Sequence, residues 1–467
     1  MTVADTRLAA LTDDRLLRKN VVLNLAGWLL PAIAALVSLP LLARGLGAAR
    51  FGLVALTWSA VGVFSQFDFG LGRALTRIIA EKLAIGDERE IHDLVWTASW
   101  VLLAFTGTLA LIGVVAAPAI VDHVLHVPTS LRAEAIGTVR LLALMIPPLT
   151  HGVALRGVLE AGQRFRLVNQ LRVPLGVATY AGPLLAIPLG LDARIAVGII
   201  ALARTAYWLA HFFVLDDIAP HLARPHRPRR HAMAELIAVG GWITVSQVVS
   251  PIIVQADRLV VAVGFPIAAS GYYGTAAEVA TKQWLFTAAL QPVFYSAMAA
   301  AIKTAPARAA KLMEQAALVT LLVLLPSAVA LAAFAEPLLH VWMRDAYVPA
   351  AAPVLRWLAV AVYANALAQV PYSVLQGGVD ARGPALLHLT ELPIYAVLLV
   401  MLSRGMGIQG VAIAWLLRMA GDGAALWWML YRKFPEARPG AMRVAKVALP
   451  CFAAVLLAAV WGTMRAP

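Results

Sequence analysis

Charge, cysteine and strand-like alternation are what this sequence has least of. Lys, Arg, Asp and Glu supply only 13% of its residues against 61% hydrophobic ones, and an ordinary soluble domain carries about a quarter charged. Cys451 is the single cysteine, which excludes an internal disulfide and any cysteine-based metal cluster. Alternation over about ten residues per crossing, the mark of an outer-membrane barrel, is missing, and the apolar runs are too long and continuous for it. Enzyme signatures are missing too. There is no Gly-rich phosphate loop, no His-Glu-x-x-His and no Cys-x-x-Cys, and the ten histidines do not gather at metal-ligand spacings. A transporter rather than an enzyme is expected, with no cofactor and no metal. The first twenty residues hold Asp5, Arg7, Asp13, Asp14, Arg15, Arg18 and Lys19 without an apolar core, so no cleaved signal is expected.

What the chain does have is length in apolar runs. A helical span needs about 20 mostly apolar residues, and about twelve or thirteen such runs recur along the sequence, whose mean hydropathy is +0.80. The expected fold is an all-α polytopic membrane protein. Spans fall near 21–43, 52–72, 94–117, 135–160, 173–190, 195–215, 235–257, 270–300, 313–335, 353–376, 385–403, 409–431 and 445–464. The organising stretch is 40–77, where one run ends at Arg44, a turn is expected on Gly45 and Gly47, the next run starts at Phe51, and Arg73 and Arg77 close it.

The two halves repeat each other. Gly27-Trp28 recurs as Gly241-Trp242, and at the same separation Arg44 meets Arg258. Arg140-Leu-Leu-Ala and Val158-Leu-Glu-Ala-Gly162 recur as Arg356-Trp-Leu-Ala and Val374-Leu-Gln-Gly-Gly378. The expected organisation is a six-helix lobe at 1–215, a basic linker at 216–234, a second lobe at 235–431, and at 432–467 a basic loop with a peripheral helix that has no counterpart. An even number of spans per copy gives parallel repeats, an arrangement of alternating-access transporters whose site lies between the lobes.

The formal charge of +13 raises nucleic acid or anionic lipid as a partner, but topology accounts for most of it. With the N-terminus cytoplasmic, the inward returns carry Arg73, Arg77, Lys82 and Arg89, then Arg164, Arg166 and Arg172, then Arg224, Arg227, Arg229 and Arg230. This is the positive-inside bias, so membrane lipid is a partner and nucleic acid is not.

A charge at the bilayer centre costs at least about 2.5–3.5 kcal/mol, so ionisable residues inside spans are functional candidates. Arg44 and Arg258 either clamp a ligand between the lobes or snorkel to the headgroups. Arg140 and Arg356 form a second symmetric pair of substrate-binding candidates, weighed against snorkelling, which the polar loop before each favours. Lys282 lies well inside an apolar run, four residues after Glu278, in the order that favours an ion pair. That pair is either self-neutralised or divided between substrate and a coupling proton. Asp257 and Asp68 are further coupling-ion candidates, each weighed against a local structural contact. Arg418 and Asp422 are expected to make a structural i, i+4 pair. Asn365, Gln369, Tyr372 and Gln376 give one helix a polar stripe suited to a hydroxyl-rich ligand or to a helix–helix contact.

The residues Leu-Pro-Leu-Leu-Ala-Arg-Gly-Leu-Gly-Ala-Ala-Arg-Phe-Gly-Leu (39–53), Asp68-Phe-Gly-Leu-Gly with Arg73 and Arg77, and Asp257-Arg258-Leu259 with Tyr272-Tyr273 resemble Wzx-type polysaccharide flippases of the multidrug/oligosaccharidyl-lipid/polysaccharide exporter superfamily. The resemblance implies a bacterial inner-membrane protein that moves an undecaprenyl-pyrophosphate-linked oligosaccharide to the periplasmic leaflet, with polysaccharide polymerase or assembly proteins as partners. It also implies that Arg44, Arg258 and Lys282 receive pyrophosphate or acidic sugars, with Arg73 and Arg77 near the cytoplasmic mouth. The main rival is a cation-coupled antiporter of the same superfamily, which calls for an acid deep in the first span. Residues 21–43 contain none.

Overall fold

The computed structural model describes residues 3–64, 70–123, 125, 128–188, 192–342 and 348–464. Among them there is no strand, and ten helices are long and apolar enough to cross a membrane. The chain is an all-α, multi-pass membrane protein. It divides into two compact units, Met1–Gly241 and Trp242–Pro467.

The first unit contains α1 (Val3–Leu11), α2 (Asp14–Phe64), α3 (Leu71–Ile85), α4 (Glu88–His123), α5 (Arg132–Ala161), α6 (Phe165–Ala181), α7 (Ala193–Phe212) and the start of α8 (Arg230–Gly264). Local chemistry sets the breaks. Gly86 ends α3 at φ 84°, a conformation glycine adopts freely, and Asp192 caps α7 by accepting from the Ile195 N–H at 3.2 Å.

As a straight rod, the 51 residues of α2 would reach about 77 Å, over twice the bilayer core. Side-chain contacts show that α2 instead folds back. Pro31 packs on Gly176 and Gly45 on Ile187, yet Trp58 returns to donate to the Thr179 carbonyl at 3.0 Å. The reversal therefore falls between Gly45 and Trp58. Gly45 serves a close approach: a Cβ on it would lie 2.4 Å from Ile187 Cδ1.

The basic stretch after α7 is strapped along α4. Trp96 and Trp100 donate their indole N–H groups to the Leu222 and His226 carbonyls, both at 2.9 Å, and the Arg229 N–H donates to Thr97 Oγ1 at 3.0 Å.

The second unit holds the rest of α8, then α9 (Ile267–Thr281), α10 (Trp284–Ile302), α11 (Pro306–Ala333), α12 (Ala335–Trp342), α13 (Val348–Val374), α14 (Arg382–Lys433) and α15 (Arg438–Met464). The most apolar stretch of α13 is 94% buried, so this helix forms the unit's axis. A π-turn at Leu375–Val379 ends it, with Gly378 at φ 151°.

The 52 residues of α14 are a helical hairpin bent at Gly407, φ 61°. Asp380, just before its start, pairs with Lys433 at its end. Partial burial raises the Asp380 carboxyl, but the Lys433 ammonium and the Gly383 and Arg382 N–H groups outweigh that and hold it below the ordinary carboxylate range.

One expectation needs correction. The single span at 270–300 is two helices, α9 and α10, which part at Lys282 and Gln283. α15 packs along α11 and α13 through an edge-on Phe452–Tyr363 contact at 5.0 Å and an Arg443–Glu314 ion pair at 2.5 Å.

Candidate functional site

In the second unit the turn of α8 that carries Asp257 and Arg258 faces α9 and α10. Gln255, Asp257, Arg258, Thr281, Trp284 and Trp415 line a cleft of about 80 Å³. The Arg258 side chain is exposed, whereas Asp257 is buried and bound in place. One carboxylate oxygen accepts from Tyr273 OH at 2.6 Å and the other from the Arg258 N–H at 2.7 Å. A fixed carboxylate thus sits behind an exposed guanidinium, an arrangement that presents positive charge to the cleft and keeps the negative charge inside.

Lys282 follows Thr281 on the same rim. The sequence places it deep inside a span, but the break between α9 and α10 leaves it 64% exposed, paired with Glu278, itself 53% exposed. Two exposed charges on an otherwise apolar helix need water around them rather than hydrocarbon.

The polar stripe of α13 is divided. Tyr372 and Gln376 are buried, with Gln376 donating to the Tyr372 hydroxyl at 2.7 Å, and Asn365 is buried as well. Gln369 alone among the four is half-exposed. It accepts from Gln291 of α10 at 2.9 Å, and with Ser373 and Thr320 it lines a second, narrow cleft of about 20 Å³.

Arg140 and Arg356, symmetric in sequence, differ in surroundings. Arg140 is exposed. Arg356 is 2% exposed, bonded to Glu336 at 2.7 Å and roofed by Gly462 of α15, where a Cβ would stand 2.8 Å from its Nε. It does not snorkel, because α12 brings it a carboxylate inside the unit.

In the first unit Arg44 is exposed, and Arg73 and Arg77 are half-buried on α3, Arg77 with Glu81 at 3.4 Å. Asp68 lies outside the described residues.

Sequence reading passes over the polar interior of this unit. Arg156 pairs with Glu160 at 3.3 Å. Arg172 donates to Asn24 Oδ1 at 2.6 Å, lies 4.9 Å from the Trp28 ring centre and also bonds Asn169. Arg73 and Arg172 lie within electrostatic range of Glu160, and Arg204 within range of Arg156. A signal exists, since Arg156 and Glu160 show the same four-residue spacing that singles out Glu278 and Lys282.

The second unit hides another group. Arg418 does not pair with Asp422 as expected but with Glu391 at 3.3 Å, because the hairpin lays α14's two arms side by side.

The sequence matches the family described as polysaccharide biosynthesis protein over residues 17–302. It is 26% identical to a putative O-antigen transporter of Shigella flexneri over 89% of this chain and 97% of that protein. Its fold is similar to MATE in the straight conformation, with TM-score 0.78 and 14% identity over 95% and 99% of the two chains. It is also similar to a mutant form of the Vibrio cholerae MATE transporter VcmN, with TM-score 0.73 and 17% identity over 92% and 98%.

Proposed function

Because the chain belongs to the polysaccharide biosynthesis protein family, as a Wzx-type member of its exporter superfamily, we propose that it is an inner-membrane flippase. Its substrate in this reading is an undecaprenyl-pyrophosphate-linked oligosaccharide, carried from the cytoplasmic to the periplasmic leaflet by alternating access. The observation that carries the reading is the near full-length likeness to the putative O-antigen transporter of Shigella flexneri.

The chemistry of the residues supports it. A pyrophosphate needs fixed positive charge, and a guanidinium is always charged and forks onto phosphate oxygens. Arg44, Arg258 and Lys282 are exposed cations on apolar helices, and we assign them to the pyrophosphate and acidic sugars, with Arg73 and Arg77 at the cytoplasmic mouth. Gln369, Ser373 and Gln291 offer neutral donors and acceptors to sugar hydroxyls. The likeness to MATE structures, at 14–17% identity, carries the fold alone. A cation-coupled antiporter of the same superfamily is the alternative reading.

Binding to purified protein separates the two. An undecaprenyl-pyrophosphate oligosaccharide should bind, and Arg44→Ala, Arg258→Ala and Lys282→Ala should each weaken it about tenfold or more, the worth of one charge-assisted hydrogen bond. Binding of a lipophilic cation alone would overturn the reading in favour of the antiporter.

A further inference from the structure

Four ionisable side chains meet inside the α14 hairpin, away from both clefts. His388, Glu391, Arg418 and Asp422 are each 9% exposed or less. Glu391 meets Arg418 at 3.3 Å, and His388 Nε2 stands 3.8 Å from Asp422 Oδ1. A ligand atom from each of His388, Glu391 and Asp422 falls within 4.8 Å of the other two, and the Glu391 and Asp422 carboxyls contact each other. Asp422 Oδ1, His388 Nδ1 and Arg418 Nε have no hydrogen-bond partner among the described residues.

Charge counting exposes a deficit. Two carboxylates face one guanidinium, which with a neutral imidazole leaves one negative charge buried among apolar residues. An uncompensated buried charge is strongly disfavoured, and two touching carboxylates cannot both ionise cheaply. One monovalent positive charge balances the group, whereas a divalent ion beside Arg418 would overshoot.

The neighbours offer a way in. The Tyr395 hydroxyl is buried without a partner among the described residues and lies within electrostatic range of both Arg418 and Asp257, which backs the Arg258-lined cleft. On the other side, the Tyr372 ring of α13 packs on His388 at 5.5 Å.

We infer that Glu391 and Asp422 form a proton-binding site inside the second unit, holding a single proton between them and exchanging it with the Arg258-lined cleft past Tyr395. His388 and Arg418 position the pair. Extended to coupling, with proton release driving transport, the inference rests on the flippase reading.

Infrared spectroscopy of the purified full-length protein tests the site without any substrate. A protonated-carboxyl carbonyl band is expected at neutral pH, shifting in D2O and disappearing on alkalinisation, and it should be missing from both Glu391→Gln and Asp422→Asn. A wild-type spectrum without that band overturns the site even if neither variant folds. A band unchanged in both variants overturns it too, as does stoichiometric binding of sodium or zinc that erases the band. Coupling is read in proteoliposomes. An imposed pH gradient should change the wild-type flipping rate several-fold and leave Asp422→Asn indifferent, with its binding of the oligosaccharide lipid retained. A wild-type rate indifferent to the gradient overturns coupling, while failure to bind the lipid counts against the flippase reading alone.

Discussion

Positions matched by the internal repeat make matching contacts with different polar partners. After α5, Arg164 closes on Asp217 at 2.7 Å; after α13, Asp380 closes on Lys433. The contact joins a helix-to-helix loop to a following helix end in both units, with the charges exchanged. One turn earlier, the Arg156–Glu160 ion pair of the first unit corresponds to the neutral Gln376–Tyr372 hydrogen bond of the second. Arg140 is exposed and Arg356 sealed. The loop-to-helix contact is thus shared, whereas its electrostatics is specific to each unit. The first unit's interior is arginine-rich, and the second unit's holds an acidic surplus.

The sharpest break of this comparison is at Arg356. Glu336→Ala strips the carboxylate from a guanidinium that is 2% exposed, and removing one partner of a buried pair costs about 3–5 kcal/mol. Thermal unfolding in detergent should show a large fall in midpoint. Arg140→Ala, at the matched position on the first unit's surface, should stay within about 0.5 kcal/mol of wild type. Equal effects at the two would mean that α12 does not seal Arg356.

A middle-sized effect separates the glycines. A Cβ on Gly27 would lie 1.9 Å from Asn169 Oδ1 and 2.5 Å from the Arg172 guanidinium, while one on Gly241 meets nothing within 4 Å. Gly27→Ala should therefore destabilise by about 1–3 kcal/mol, the cost of overpacking. Gly241→Ala should stabilise by up to about 1 kcal/mol, the helix propensity gained. The same unfolding assay reads both, and the signs should differ.

Fold class is legible in the sequence because hydrophobic length is a local property. Apolar runs announce spans wherever about 20 such residues stand together, and repeated Gly-Trp and Arg-Leu-Leu-Ala fragments announce the duplication. Local kinks are less legible. Lys282 looks buried because 270–300 reads as one apolar run, and nothing in it marks the break that turns the lysine outward. Candidate site residues stand out where the charge itself is conspicuous. They escape notice where significance depends on a partner distant in sequence: Glu391 needs Arg418 across the Gly407 bend, Arg172 needs Asn24, and Arg356 needs Glu336. Spacing rules see only neighbours on one helix, which is why they favour Arg418 with Asp422.

The smallest effect falls at the charge-exchanged clasps, and it tests whether the exchange is only electrostatic. Arg164 and Asp217 are each about half exposed, at 51% and 48%, so Arg164→Ala should cost no more than about 1 kcal/mol. Asp380 is less exposed, at 15%, and its carboxylate also accepts from the Arg382 N–H at 3.1 Å, so Asp380→Asn should cost about 1–2 kcal/mol, the worth of a charge-assisted hydrogen bond at a half-buried site. Because its folded carboxyl lies below the usual range, this stabilisation is present above the unfolded value of about 3.9 and is lost as pH falls through the lower folded one. Asp380→Asn should therefore flatten the acid limb of the stability profile and leave the neutral limb parallel to wild type. Asp380→Lys alone sets two ammonium groups against each other. Adding Lys433→Asp restores opposite charges in the first unit's order and should recover most of the stability. Failure of that rescue would show that Asp380 acts chiefly through the backbone N–H groups at the start of α14, which a lysine cannot accept from.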